Sequence, residues 1–190
     1  MLRTTIDLDA IAHNTRRLRE QTSAELMCVV KADAYNHGVE RCVPVMEAGG
    51  ADAFGVATFA EARRVRELTT KPVLAWLWDP QEELPAGVDV GVPSFTHLQS
   101  LIDAPTAPTA YLKVDTGMHR SGIDEVRWQE AFELALDAQR KGKLTVAGLM
   151  THLSCADDPA DPYTGHQSAA FRGAIAQARQ VGLEVPRNHA

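Results

Sequence analysis

The sequence is short of cysteine, of positive charge and of long apolar runs. Its three cysteines, Cys28, Cys42 and Cys155, are odd in number and far apart, and no Cys-x-x-Cys pair is present. This pattern predicts neither a disulfide framework nor a zinc site, so we expect no metal. No run of about 18 apolar residues predicts a transmembrane helix, and the N-terminal segment lacks the apolar core of a signal peptide. We therefore expect a cytoplasmic protein with no membrane partner.

Acidic residues outnumber basic ones. Lysine and arginine together number 19 against 25 for aspartate and glutamate, which gives a net charge of −6. Because no long basic run is present, we do not expect the chain to bind nucleic acid. Hydrophobic residues make up 45% of the 190 residues, which is enough for one sizeable core, so we expect a single domain over residues 1–190. A small molecule is the expected partner.

Short apolar segments alternate with amphipathic ones along the chain, and this alternation predicts βαβ units with a parallel sheet. Leu26–Val30 reads as a buried strand, and Thr4–Leu8 and Glu184–His189 are candidate strands near the two ends. The main expected strands are centred on Met27, Ala53, Leu74, Val88, Tyr111, Val146 and Val185.

Capping residues and breakers predict the helix boundaries. Asp9 is the expected N-cap of the first helix, and Thr58 with Glu61 forms a capping-box pattern. Pro44 is expected in the first turn of its helix, and Gly49 is expected to end that helix.

Roughly seven βα units are closer to a parallel (β/α)8 TIM-type barrel than to a doubly wound sheet. A complete barrel has eight strands and about 250 residues, so we expect this one to be incomplete. A flavodoxin-like or Rossmann sheet is the competing architecture. No Gly-x-Gly-x-x-Gly follows the first strand, and the dinucleotide-binding version therefore has little support.

Polar residues follow several of the expected strands. Lys31 comes directly after Val30, Lys113 and Asp115 close the Tyr111 strand, and His152 follows the strand ending at Met150. In a barrel these loops share the catalytic face, so we expect the groups to converge. A lysine there is a natural nucleophile towards an aldehyde. The alternative is a lysine that extends from a strand end into solvent.

The segment YLKVDTGMHRSG concentrates charge between glycines that permit close approach to a ligand. Arg120 offers a planar fork for a phenolate or carboxylate, although a charge-balanced surface loop is the alternative. His152 could equally be a hydrogen-bonded structural histidine.

These motifs resemble those of the alanine racemase family, whose members are pyridoxal-phosphate enzymes of fold type III. VVKADAYNHG is similar to the family's cofactor-lysine signature, and Lys113–Gly122 matches its KxDTGMxRxG pattern. TIDLDAIAHN, DAFGVATFAEA and THLSCAD also resemble the family, so the likeness runs through the chain. Asn36 stands where the commonest family form has glycine. Asn tolerates left-handed backbone, so we expect the turn to be kept.

The resemblance implies roles for individual residues. Lys31 would bind the aldehyde carbon of pyridoxal phosphate and act as one acid/base. Tyr35 would help to hold the cofactor phosphate, Arg120 would contact its phenolic oxygen, and His152 would lie beside its ring. Lys113, often carbamylated in the family, would position Arg120, with Asp115 and Met118 as further supporting residues.

The resemblance also implies interconversion of L- and D-alanine, which supplies D-alanine for peptidoglycan, by a homodimer. In the family the second base is a tyrosine from the partner subunit's C-terminal β-domain. We expect this chain to lack that domain and to be inactive alone. The alternatives are a racemase of the same fold for another amino acid such as serine, and a non-catalytic barrel that binds pyridoxal phosphate.

Overall fold

The computed structural model describes residues 3–190, which form two compact units. Unit 1 runs to Trp78 and includes Glu82–Asp89, and unit 2 consists of Asp79–Gln81 and Val90–Ala190. Among the described residues, no helix is both long and apolar enough to cross a lipid bilayer. The elements are α1 (Leu8–Glu20), β1 (Met27–Val29), α2 (Lys31–Asn36), α3 (Val39–Ala48), β2 (Ala53–Val56), α4 (Phe59–Arg66), β3 (Val73–Ala75), β4 (Asp89–Val92), α5 (Phe95–Asp103), β5 (Thr109–Lys113), a 3₁₀ turn (Glu125–Arg127), α6 (Trp128–Arg140), β6 (Thr145–Met150) and α7 (Tyr163–Gln180).

In unit 1, β1, β2 and β3 pair in parallel in the order of the chain. The central strand β2 is buried throughout, and Phe54 and Phe59 are completely enclosed. Phe59 lies in the first turn of α4, where its ring stacks on Trp78 with the ring centroids 5.4 Å apart. The predicted capping box of Thr58 and Glu61 starts this helix.

The strand β1 is less buried than predicted. Val30, just after it, is 1% exposed, but Val29 is 38% exposed, and Cys28 is only partly covered. Within the described part of unit 1, β1 has β2 as its strand neighbour on one side alone, so its other edge is open. Burial still raises the pKa of the Cys28 thiol, and the charge of Asp52 raises it further.

Two predicted boundaries in unit 1 are wrong. The N-cap of α1 is Asp7 and not Asp9, because the Asp7 carboxylate accepts the Ala10 amide at 3.0 Å. The predicted strand Thr4–Leu8 is absent, since residues 4–7 have no regular structure and Leu8 already belongs to α1.

Pro44 also differs from expectation, because it lies in the middle of α3 and not in its first turn. A mid-helix proline removes one backbone hydrogen bond. Pro44 is exposed, so water can satisfy the carbonyl group that it leaves without a donor. Gly49 ends the helix as predicted.

In unit 2, β4, β5 and β6 pair in parallel, again in the order of the chain. Tyr111 and Leu112 on β5 are buried, as predicted, and Phe132 of α6 is completely buried as well. Lys113 lies opposite Met150 in the register of β5 with β6, so the loops after these two strands leave the sheet side by side. This register positions the polar residues that follow both strands.

The segment Glu184–His189 was expected to begin another strand, and it pairs with β6 through an isolated parallel bridge between Met150 and His189. The backbone amide of Arg187 donates to the Ala147 carbonyl oxygen at 3.0 Å, and that of His189 donates to the Leu149 carbonyl oxygen at 3.1 Å. The described residues thus contain six strands, and Glu184–His189 contributes the Met150–His189 bridge in place of the seventh strand predicted. The predicted parallel α/β fold is confirmed.

Candidate functional site

Lys31 lies at the carboxyl end of β1, where sequence reasoning placed it. The preceding residue, Val30, donates its backbone amide to the Gly55 carbonyl oxygen at 2.8 Å. The Lys31 side chain is partly exposed, and its Nζ atom lies 6.0 Å from the centre of the Tyr35 ring. Tyr35 itself is 56% exposed. Unit 1 therefore brings these two predicted residues together, with Lys31 partly exposed and Tyr35 exposed.

The backbone of α2 directly after Lys31 is left-handed, so this element is a left-handed turn and not a regular α-helix. Ala32, Asp33, Ala34 and Tyr35 have φ angles of 52°, 57°, 53° and 54°, and Asn36 has 66°. The expectation that Asn36 keeps the turn in a left-handed conformation is confirmed. For L-residues this conformation costs roughly 1–2 kcal/mol each, so a run of this kind persists only when its surroundings hold it.

Glu61 supplies one such support. Its Oε1 atom accepts the Ala32 amide at 2.8 Å, while Oε2 accepts the amides of Ala57 at 2.8 Å and Thr58 at 3.0 Å. Burial alone would raise the pKa of this carboxyl, but the backbone hydrogen bonds together lower it. One carboxylate therefore caps α4 and holds the residue next to Lys31.

Asp33 and His37 hold the same turn from within. Asp33 Oδ1 accepts the Val39 amide at 3.0 Å and lies 3.1 Å from the Arg64 guanidinium. His37 Nδ1 lies 2.9 Å from the Ala34 carbonyl oxygen. Because a carbonyl group can only accept, His37 carries a proton on Nδ1. From the sequence, Glu61 was predicted only as a capping residue, and Arg64 was not predicted to contribute.

In unit 2, Lys113 ends β5 and is 9% exposed. Burial lowers the pKa of its amine, the nearby charge of Arg120 lowers it further, and Asp115 opposes both effects. A lowered pKa increases the share of neutral, nucleophilic amine. The Lys113 amine and the Arg120 guanidinium therefore interact as like charges.

The loop between Lys113 and Arg120 is organised by Asp115. Its Oδ1 atom accepts the amides of Gly117 at 2.9 Å and His119 at 3.1 Å, and Oδ2 lies 3.1 Å from His119 Nδ1. Burial would raise the pKa of Asp115, and these hydrogen bonds lower it overall. Met118 is partly exposed between the two bound amides, and Arg120 is exposed beyond them.

Two positions of this loop require glycine because neighbouring atoms leave no room for a Cβ atom. A Cβ atom on Gly117 would lie 2.4 Å from the Tyr163 hydroxyl oxygen, which donates to the Gly117 carbonyl at 2.9 Å. A Cβ atom on Gly122 would lie 2.7 Å from the Asp115 amide nitrogen, and its φ of 132° excludes most side chains as well. The loop is thus fixed at both ends.

His152 lies in the loop after β6, and its side chain is exposed. Its carbonyl oxygen accepts a hydrogen bond from Gln167 Nε2 at 3.1 Å, a contact that sequence reasoning missed because the two residues belong to different elements. The β5 and β6 loops also meet through Thr116 and Thr151, whose hydroxyl oxygens are 2.8 Å apart. Unit 2 therefore brings together Lys113, Asp115, Arg120 and the backbone of His152.

His189 contributes a buried polar atom near the same strands. Its ring packs edge-on against Tyr111, with the ring centroids 5.2 Å apart, and burial lowers its pKa. Within residues 3–190, its Nε2 atom is buried without a hydrogen-bond partner. Buried polar atoms are normally paired, so this nitrogen is an exception among the described residues.

Comparison with known proteins gives consistent matches over the whole chain. Alanine racemase from Corynebacterium efficiens is 52% identical over 198 residues, which cover 100% of this chain and 53% of that protein. The crystal structure of alanine racemase from Corynebacterium glutamicum superimposes on this chain with a TM-score of 0.91 at 47% identity. The match covers 98% of this chain and 55% of the Corynebacterium glutamicum chain. The enzyme from D-cycloserine-producing Streptomyces lavendulae has the same TM-score, 0.91, at 34% identity, covering 97% of this chain and 51% of its own.

The chain spans about half the length of the curated relatives that it matches. The family model described as "Alanine racemase, N-terminal domain" matches residues 6–190. The parallel strands, the strand-end lysine and the loop between Lys113 and Gly122 all lie inside this match. The chain therefore belongs to the alanine racemase family, in which it corresponds to the N-terminal domain.

Proposed function

We propose that residues 1–190 form the N-terminal barrel domain of a pyridoxal-phosphate-dependent racemase that interconverts L- and D-alanine. The observation that carries this proposal is the position of Lys31, whose amine projects from the end of β1 beside Tyr35, just before a left-handed turn. Strained backbone of this kind clusters at functional sites because function, and not folding, requires it. The family relationship gives the amine its expected reaction partner, an aldehyde.

The donor set fits pyridoxal phosphate. The aldehyde requires an amine, which Lys31 provides, and the phenolate requires a cation, which we assign to Arg120. The exposed hydroxyl group of Tyr35 is suited to the phosphate, and we place the imidazole of His152 beside the pyridine ring. The Nε2 atom of His189 could be satisfied by a polar group of the bound cofactor or of a later part of the chain. We retain all of these assignments as parts of the proposal.

Pyridoxal phosphate, when bound, withdraws electrons from the substrate and makes its Cα hydrogen acidic. The protein must then move a proton at that carbon. In our proposal the Lys31 amine accepts and returns this proton on the D-alanine side. Lys113, which has Arg120 nearby and Asp115 two residues further on, positions the guanidinium group, and Met118 helps to shape the same loop.

Racemisation needs a second proton-transfer group on the opposite face. The family resemblance supports a tyrosine from a partner subunit, and hence a homodimer. It also supports a cytoplasmic location and a supply of D-alanine to peptidoglycan synthesis. On this proposal residues 1–190 alone have negligible activity, because they hold only one of the two bases.

The test uses an alanine racemase that contains this 190-residue sequence, hereafter the full-length enzyme. With pyridoxal phosphate and L-alanine in deuterium oxide, we expect D-alanine to form and deuterium to enter at Cα. Lys31→Ala should abolish both, whereas Lys143→Ala, which changes an exposed lysine, should not. Deuterium exchange with serine but not with alanine would show that the substrate is serine and not alanine. Cofactor binding without any exchange would favour the non-catalytic barrel.

A further inference from the structure

We propose that Gln167 is a positioning residue for the candidate cofactor site, because its side-chain amide fixes the two loops that carry Arg120 and His152. The inference rests on the proposed function for the identity of the ligand. Its structural part, the control of loop geometry by Gln167, can be tested without any ligand. Gln167 lies on α7, and neither its sequence position nor the family motifs mark it as part of a site.

The Gln167 side chain is completely buried, at 0% exposure. Its Nε2 atom donates to the Thr116 hydroxyl oxygen at 3.3 Å and to the His152 carbonyl oxygen at 3.1 Å. Its Oε1 atom accepts from the Ser154 amide at 2.9 Å and from the Ser154 hydroxyl group at 3.0 Å. One buried amide therefore contacts the β5 loop once and the β6 loop at two residues.

The orientation of this amide is fixed by its partners. The backbone amide of Ser154 can only donate, so it requires the oxygen of Gln167, and the carbonyl group of His152 can only accept, so it requires the nitrogen. These two partners make the same assignment independently. A flipped amide would place oxygen against oxygen and N–H against N–H.

The hydroxyl groups beyond Gln167 are oriented as well. Thr151 donates to the Val114 carbonyl oxygen at 3.0 Å, which uses its one proton. In the 2.8 Å contact between Thr116 and Thr151, Thr116 must therefore be the donor. Its oxygen is then left to accept from Gln167, as observed. The hydrogen bonds run in one direction, from the Gln167 amide through Thr116 and Thr151 to the Val114 carbonyl.

The network ends at residues that adjoin the proposed cofactor contacts. Thr116 follows Asp115, whose carboxylate holds the Gly117 and His119 amides just before Arg120. Tyr163, four residues before Gln167 on α7, donates to the Gly117 carbonyl at 2.9 Å. A helix that only packed against the sheet could use apolar residues at these positions. A buried amide with all its bonds made instead specifies one loop geometry.

The principal test is Gln167→Glu in the full-length enzyme. The carboxylate keeps the shape of the side chain and can accept from Ser154, but it cannot donate to Thr116 or His152. We expect faster amide hydrogen exchange confined to residues 115–120 and 152–154 in the absence of ligand. We also expect pyridoxal phosphate to bind at least about tenfold more weakly, a size typical of lost support behind a ligand-binding residue.

Thr116→Val and Thr116→Ser form the matched pair, and they carry the test if Gln167→Glu does not fold. Valine removes the hydroxyl group at similar volume, and it should speed exchange at residues 115–120 and weaken cofactor binding. Serine keeps the hydroxyl group and should restore ligand-free exchange and cofactor affinity. The inference is overturned if Gln167→Glu and Thr116→Val leave loop exchange unchanged, or if exchange rises uniformly across the protein. If wild type binds no pyridoxal phosphate while the exchange results hold, the proposed function fails and loop control by Gln167 stands.

Discussion

Replacing Glu61 by glutamine should slow the reaction of Lys31 with pyridoxal phosphate while leaving the cap of α4 intact. Glu61 Oε2 accepts the amides of Ala57 and Thr58, and Oε1 accepts the Ala32 amide. Glutamine has one acceptor oxygen. We expect this oxygen to stay at the start of α4, where it can accept two amides, whereas on the other side it could accept only the Ala32 amide. The NH₂ group would then face the Ala32 amide. The left-handed turn after Lys31 then loses its support.

The expected cost follows from the bonds that are lost. A hydrogen bond contributes about 1 kcal/mol net, so Glu61→Gln should lower the free energy of unfolding by about 1 kcal/mol, plus a similar amount for the unmatched amide. Glu61→Ala removes every bond to the carboxylate and should cost about 3 kcal/mol. Thr58→Ala is the matched control. It removes the hydroxyl that accepts the Glu61 amide at 3.3 Å, costs about 1 kcal/mol, and leaves the Ala32 contact in place.

The assay combines urea denaturation of the chain with the rate at which pyridoxal phosphate and borohydride modify Lys31. Glu61→Gln should slow modification severalfold, whereas Thr58→Ala should react like wild type at comparable stability. The reasoning is refuted if Glu61→Gln reacts at the wild-type rate, or if Thr58→Ala slows the reaction as much.

Hydrogen bonds hold the pKa of Glu61 below its ordinary value. Its contribution to the free energy of unfolding is therefore fully present above that ordinary value and is lost as pH falls through the lowered pKa. The glutamine variant should lack this acid sensitivity.

Two further predictions concern Lys113 and the glycines of unit 2. Because folding lowers the pKa of Lys113, the unfolded chain binds more protons, so stability should rise with pH between the lowered pKa and the ordinary value of about 10.4. Lys113→Met should flatten that rise. Arg120→Ala should raise the pKa of Lys113, so the pH profile of Lys113 acylation should move to higher pH. Gly148→Ala should cost about 3 kcal/mol or more in denaturant unfolding, since its Cβ atom would lie 1.5 Å from the Arg187 carbonyl oxygen, whereas Gly173→Ala, with no atom within 4 Å, should stabilise α7 by about 0.5–1 kcal/mol.

Features with local signals were predictable from the sequence. The strand centred on Val146 and ending at Met150 is observed as Thr145–Met150, and the capping box of Thr58 and Glu61 is observed as well. Both were predictable because a short apolar run and a pair of residues three apart are local patterns. The first helix cap was misplaced at Asp9. Asp7 and Asp9 are both acceptable caps by residue type, and only the carboxylate contact with the Ala10 amide separates them.

Features that depend on long-range contacts were not predictable. Glu61 is separated from Ala32 by 29 residues and Gln167 from Thr116 by 51, and in each case the spacing reflects how the strands and helices pack. Of the left-handed residues after Lys31, only Asn36 was predicted, and the four residues before it were missed. Alanine, aspartate and tyrosine do not favour that conformation, so its cause lies in Glu61, Asp33 and the surrounding contacts, and not in local propensity.

The attachment site of pyridoxal phosphate tests the central claim most directly. The full-length enzyme is incubated with the cofactor, reduced with borohydride and digested, and the lysine that carries the pyridoxyl phosphate group is identified by mass spectrometry. We predict that the group is on Lys31 and that Lys113 and Lys143 are unmodified. A protein without the modification, or one modified at another lysine, would contradict the assignment of Lys31 as the residue that binds the cofactor.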